Sequence, residues 1–104
     1  MTYKIVWYRK ARQDLLALYD WIDQQAGPEI ANDYTSRIDA HAAKLGHFPH
    51  RGTPRDDLSH GLRTITYRRR TIIGYKVVDQ EVQILHIIHG GRNLAGVFDE
   101  GDDD

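Results

Sequence analysis

GLRTITYRRRTIIGYKVVDQEVQILHIIHGGR, residues 61–92, is the stretch whose reading decides the fold. Three runs dense in Ile, Val, Tyr and Thr fall at 62–67, 71–78 and 81–89. They are bounded by Gly and Asp and separated by intervals too short for a helix, so each reads as a β-strand. Arg68, Arg69 and Arg70 make the first turn, and Asp79-Gln80 makes the second. Connections this short join antiparallel neighbours, so the three strands form a meander. The third strand is apolar on both sides, with Val82, Ile84, His86 and Ile88 on one and Gln83, Leu85, Ile87 and His89 on the other. That pattern marks a central strand, covered by helices on one side and partly covered on the other.

Upstream, residues 2–7 alternate as a short strand, with Tyr3, Ile5 and Trp7 on one face. From Arg9 the period becomes helical. Ala11, Leu15, Leu18, Ile22 and Ala26 make one apolar stripe, and Asp14, Asp20, Asp23 and Gln24 lie mostly off it. Gly27-Pro28 ends that helix and opens the next, which runs to about Leu45 on a stripe of Ala31, Tyr34, Ile38, Ala42 and Leu45 and stops at Gly46. Two helices with almost no loop between them lie antiparallel, and the sheet is what their stripes can cover. Residues 47–60, HFPHRGTPRDDLSH, form a loop long for the chain, with Phe48 and Leu58 expected to close the core edge. The order is β-α-α-β-β-β, an α+β domain over residues 1–98 with an αα-hairpin packed on one face of an antiparallel sheet.

The 104 residues suit one domain. With no cysteine there is neither disulfide nor thiolate chemistry, which fits a cytoplasmic protein. No window approaches the roughly 18 apolar residues of a membrane span, and residues 1–7 do not read as a signal peptide. Five of the fifteen acidic residues lie at 99–104, so the rest of the chain carries fourteen basic against ten acidic groups, a formal +4. The acidic run predicts a solvated, disordered end; the more specific reading is an intramolecular mask over a basic surface.

Six histidines raise the question of a metal. His86 and His89 are three apart on a strand and face opposite ways, and His47 and His50 have no carboxylate or thiolate spaced to complete a site, so no metal is expected. Ser36 and Ser59 lack a nucleophile setting, no glycine-rich phosphate loop is present, and Asp56-Asp57 read as turn formers. No cofactor is implied. The basic groups are more informative. Arg68, Arg69 and Arg70 form either a solvated turn or a contact for phosphates or acidic side chains. Arg63 and Arg92, at the start and end of the meander, are expected to converge with His89 and with Tyr67 or Tyr75; the plainer reading of either arginine is a structural ion pair.

Several short patterns fall in a recognisable order: Ala11-x-x-Asp14-Leu15, Phe48-Pro49-x-x-Gly52, Gly61-Leu62-Arg63, Ile73-x-Tyr75-x-Val77 and Ile87-x-His89-Gly90-x-Arg92. Together with the element order they resemble the RelE/ParE superfamily of bacterial toxins over residues 2–94. Within it, RelE-like members resemble ribosome-dependent mRNA endonucleases that use lysine, arginine and a late tyrosine, whereas ParE-like members act on DNA gyrase without that set. Ile65 stands where the lysine would be expected, Ile72 where an arginine would be, and Phe98 where the tyrosine would be. Cleavage of RNA needs a base, an acid and a cation, for which Arg63, His89 and Arg92 would be the candidates. The resemblance therefore implies a ParE-like toxin that acts by binding. Its implied target is DNA gyrase, and its implied partner is a cognate ParD-like antitoxin in a hetero-oligomer that meets operator DNA only through the antitoxin. Candidate contact residues are Arg63, Tyr67, Arg68, Arg69, Arg70, Tyr75, His89, Arg92 and Phe98. The alternative is a RelE-like mRNA endonuclease, and a degenerate member that serves only complex assembly is a third reading.

Overall fold

Gly27 is the only residue between the two helices, and its φ of +94° lets the chain reverse there. Its N–H closes α1 (Arg9–Ala26) on Asp23 O at 2.9 Å, and its carbonyl accepts the Ala31 N–H of α2 (Pro28–Ala43) at 3.1 Å. Pro28, at the first helical position, has no N–H that needs a partner. The computed structural model describes residues 2–90. The remaining elements are β1 (Lys4–Trp7), a 3-10 turn (Lys44–Gly46), β2 (Thr53–Pro54), β3 (Leu62–Tyr67), β4 (Thr71–Val78) and β5 (Glu81–His89). The expected α+β order and the bounds of the three meander strands hold. The second helix tightens into the 3-10 turn before residue 45, and the 47–60 loop contributes the two-residue β2.

The strands form one sheet in the order β1-β5-β4-β3-β2. β1 runs parallel to β5 and the other neighbours are antiparallel, so β5 is internal, as its apolar faces require. Both helices lie on one face. Ala11, Leu18 and Ile22 of α1 and Ala31, Ile38 and Ala42 of α2 pack on Ile73, Tyr75, Val82, Ile84 and Ile87. Each large apolar side chain buried there contributes about 1.5–3 kcal/mol.

One expectation about β5 is corrected. Gly74 pairs with His86 and Tyr75 with Ile84, which leaves Leu85 as an extra residue in a β-bulge. A one-residue insertion exchanges the two faces beyond it. Ile87 therefore joins Val82 and Ile84 under the helices, whereas Ile88 packs with Leu62, Leu58 and Ile72 in a second small cluster. Leu58 thus closes a core edge as expected. Phe48 does not: it is 67% exposed, and the neighbouring Pro49 is buried instead.

The bulge lies next to a second irregularity. The β1–β5 ladder ends at Trp7↔Ile84, and the Tyr8 N–H bonds Ile84 O at 3.0 Å as the chain turns into α1. Beyond that point β5 has no strand neighbour on this side among the described residues. The Asp14 carboxylate takes its place, with Oδ2 accepting the Ile87 N–H at 3.0 Å. Lys10 donates to Oδ1 of the same group, and His86 Nδ1 lies 3.8 Å from Oδ2.

Candidate functional site

Five rings form a row across the seam between helices and sheet. Trp21 of α1 meets His89 of β5 at 5.6 Å between centroids, and His89 meets Tyr34 of α2 at 6.0 Å. Tyr34 meets Tyr67 of β3 at 5.4 Å, edge-on, and Tyr67 meets His41 of α2 at 5.6 Å. Strand register explains the assembly, because Thr71 pairs with both Tyr67 and His89 and so sets β3, β4 and β5 at one level. Trp21 falls off the apolar stripe of α1 and is 51% exposed.

The buried Thr71 hydroxyl fixes two of these rings. Its Oγ1 lies 2.9 Å from Tyr34 Oη and 2.8 Å from His89 Nδ1. Whichever way the protons run, Nδ1 is committed to Thr71 and only Nε2 of His89 is left for another partner. Burial, and then the positive charge of Arg70, pushes the His89 imidazole below its ordinary value. Burial also lowers His41, a shift opposed by its bond to Thr66 O and helped by Lys44 and Arg51. Both rings are therefore neutral near pH 7.

The β3–β4 turn projects beyond this row. Arg68 (φ 53°) and Arg69 (φ 63°) are both left-handed, with the Arg70 N–H bonded to Tyr67 O at 3.3 Å, the pattern of a type I′ turn. That turn favours Asn-Gly, and a side-chain-bearing residue in this region costs about 1–2 kcal/mol. The Arg68 guanidinium lies 5.4 Å from the Tyr67 ring centroid, a cation–π contact. Arg68→Asn with Arg69→Gly is expected to raise stability by about 1 kcal/mol and the melting temperature by about 4–8 °C in calorimetry. An unchanged or lower melting temperature would mean that the turn is not strained.

The expected convergence of Arg63 with His89 does not occur. Two reversals of direction put the start of β3 and the end of β5 at opposite ends of the sheet. Four residues of strand, about 13 Å, separate Arg63 from the level of Tyr67 and His89. Arg63 Nη1 donates to His50 O at 3.0 Å and to Gly52 O at 2.8 Å. Opposite it, buried Tyr75 donates to Pro49 O at 2.8 Å and accepts the Gly52 N–H at 2.9 Å. Burial raises the Tyr75 hydroxyl above its ordinary value, so it stays protonated. Both side chains latch the 47–60 loop to the sheet. Arg92 and Phe98 lie outside the described residues, as does the acidic run.

Ile65 and Ile72, the positions where the resemblance expects cations, hold apolar contacts on opposite faces. Ile65 packs against the main core and Ile72 against Leu62 and Ile88. Among the described residues no group of three or more metal-ligating side chains comes together. The row and its turn supply ring faces, one available imidazole nitrogen and three exposed guanidiniums, the equipment of a binding surface. A separate shallow groove of about 220 Å³ lies between the helices, lined by Leu15, Leu16, Tyr19, Thr35, Ser36 and Asp39. Sequence reasoning placed Tyr34 on the core-facing stripe of the second helix, and did not single out His41, Trp21 or Thr71. An aromatic residue off its helix stripe was the available signal for Trp21.

Comparison with known proteins agrees with this architecture. Residues 5–94 match the family model for the ParE toxin of the type II toxin–antitoxin system parDE. Toxin ParE3 of Caulobacter vibrioides is 29% identical over 92 residues, covering 88% of this chain and 91% of that protein. A chain of the chromosomal ParDE toxin–antitoxin system from P. aeruginosa superimposes with a TM-score of 0.76 at 31% identity, over 85% of this chain and 96% of the other. A chain of the toxin–antitoxin complex RelBE2 from Mycobacterium tuberculosis shares the fold, with a TM-score of 0.61 at 20% identity over 86% and 100% of the two chains.

Proposed function

The chain belongs to the ParE toxin family of type II toxin–antitoxin systems, and from that premise we propose that it inhibits DNA gyrase by binding and is neutralised by a ParD-like antitoxin. The observation that carries the binding mode is the filling of the two expected cation positions. Ile65 and Ile72 are packed into apolar clusters and neither offers a charge to a phosphate. His89 has one nitrogen not committed to Thr71 and, among the described residues, no acid beside it, and Arg63 is bound to loop carbonyls a strand length away. A general-base, general-acid and cation set for RNA cleavage is not gathered in one place among the described residues.

An antitoxin of matching chemistry would lay an amphipathic segment along the groove containing Leu15, Leu16 and Tyr19 and offer acidic groups to the basic surface. The complex would meet operator DNA through the antitoxin. No helix of the described residues is long and apolar enough to cross a membrane, and gyrase as target places the action in the cytoplasm.

The test sets the two targets side by side. With purified gyrase and plasmid, added toxin is expected to stabilise gyrase–DNA cleavage complexes, and the antitoxin is expected to reverse the effect. In a purified translation system the mRNA is expected to stay intact. Cleavage in the ribosomal A site, lost with Arg63→Ala or Arg92→Ala, would overturn the proposal in favour of a RelE-like endonuclease. Growth unaffected by expression without antitoxin would mean an inert assembly partner.

A further inference from the structure

Phe48 is the most exposed large apolar side chain among the described residues, at 67%, yet the backbone that carries it is fastened on every side. Its own N–H bonds Lys44 O at 3.4 Å, and its carbonyl accepts the Arg51 N–H at 3.3 Å. The carbonyls that follow are claimed as well, Pro49 O by Tyr75, and His50 O and Gly52 O by Arg63. The His50 ring is itself met edge-on by Tyr3, at 6.4 Å between centroids. Single apolar residues on a surface are ordinary. An exposed ring on a latched loop is different, because the loop entropy that binding would otherwise cost is already lost on folding. Aromatic side chains held in this way serve as anchors in protein interfaces.

The charge around the ring has one sign. Between Asp39 and Asp56 the chain holds Lys44, Arg51 and Arg55 and no acidic residue. Arg55 is paired with Asp57, whereas Lys44 and Arg51 are exposed and have no carboxylate among the described residues. Burial depresses the His41 imidazole and the charges of Lys44 and Arg51 add to it, which places both cations near that ring. We infer that Phe48 is the anchor by which the chain holds the target it inhibits, entering an apolar pocket on a protein whose acidic rim faces Lys44 and Arg51. One projecting ring fits a pocket. A nucleic-acid strand calls for several free ring faces, and the nearby His41 and Tyr67 rings are in contact with each other. Phe48, Lys44 and Arg51 do not line the groove between the helices, so the anchor is distinct from the antitoxin site proposed there. The latch through Gly52, Arg63 and Tyr75 then has a functional reason, which is to fix the direction of this ring.

The inference rests on the reading that the chain acts by binding, and not on gyrase being the target. Phe48→Ala tests it, because an exposed ring can be removed with the melting temperature staying within about 4 °C of the native value. Growth arrest on expression without antitoxin is expected to be lost. With purified gyrase and plasmid, the toxin concentration that half-saturates cleavage complexes should rise about 30-fold. Phe48→Tyr should stay within about threefold of the native chain. Lys44→Glu with Arg51→Glu leaves the ring in place and tests the rim by itself: binding should weaken at about 50 mM salt, and the gap should narrow at about 300 mM. Affinity for the ParD-like antitoxin should not change in any of these variants. Full growth arrest by Phe48→Ala would overturn the inference. A fall in antitoxin affinity with arrest intact would also overturn it and make Phe48 the antitoxin's anchor. Binding of a labelled single-stranded oligonucleotide that Phe48→Ala abolishes would make the ring a stacking platform instead. Arrest lost with Phe48→Ala while the native chain leaves gyrase untouched would support the anchor and overturn gyrase as the target. An inert native chain would overturn both.

Discussion

Gly52→Ala is expected to lower the unfolding free energy by about 2–4 kcal/mol, read from urea denaturation, although it adds one methyl group to a loop. A Cβ at this position would lie 2.5 Å from Tyr75 Oη, 2.9 Å from its Cε1 and 3.0 Å from Thr64 O. None of these can retreat cheaply. Tyr75 is fully buried, and Thr64 O belongs to the backbone of β3. The same movement would break the Gly52 N–H bond to Tyr75 Oη and strain the Arg63 bond to Gly52 O. Tyr75→Phe removes the hydroxyl, leaving Pro49 O and Gly52 N–H without their partner, and should cost about 1–3 kcal/mol. Since the worst contact in Gly52→Ala is with that hydroxyl, the double variant should cost about 1 kcal/mol less than the two single costs added together. Strict additivity would show that the loop yields without involving Tyr75.

This latch explains what the resemblance motifs are made of. Pro49, Gly52, Arg63 and Tyr75 come from three separate patterns in the sequence and meet at one corner, where they fasten a long loop. Element order and strand bounds were legible because Gly, Pro and the change from a period of 3.6 to 2 are local signals. The loop contacts of Arg63 and Tyr75 were not legible. Side-chain type says that an arginine can bind an anion, but not whether a carbonyl in a neighbouring loop has already claimed it. Direction mattered as well, since two reversals separate the ends of a three-stranded meander.

The bulge at Leu85 was illegible for a different reason. Nothing in ILHIIH distinguishes regular alternation from alternation with one residue inserted, since both faces of β5 are apolar. The insertion turned His89 towards Trp21 and Tyr34, away from the open face of the sheet. The ring row therefore depends on long-range register that no single stretch encodes. Tyr67 and the three arginines, by contrast, sit where the hairpin reading put them.

Asp14→Ala should be the other severe substitution, costing about 2–3 kcal/mol, with a melting temperature lowered by roughly 8–20 °C. On an amphipathic wheel Asp14 is a polar residue beside the apolar stripe. In the fold it completes the edge of β5 where β1 has ended. Its side chain is 9% exposed, and it accepts the Ile87 N–H. Alanine leaves that amide without an acceptor at a position water reaches poorly. Asp14→Asn keeps a carbonyl oxygen for the amide but gives up the charge facing Lys10 and His86, and should cost about 1 kcal/mol. The pH dependence separates the two contributions. Burial alone would raise the Asp14 carboxyl, but nearby His86 and hydrogen bonds from Lys10 and the Ile87 amide outweigh it and hold the group below its ordinary value. A carboxyl lowered in the folded state stabilises fully above its unfolded value, about 3.9, and loses that contribution as pH falls through its folded value. The stability gap between the native chain and Asp14→Asn should therefore stay level from about pH 5 upward and close below about pH 4. Faster hydrogen exchange at the Ile87 amide in Asp14→Ala would locate the lesion at that bond. A gap that widens on acidification would show that the carboxylate is not what holds α1 to the strand.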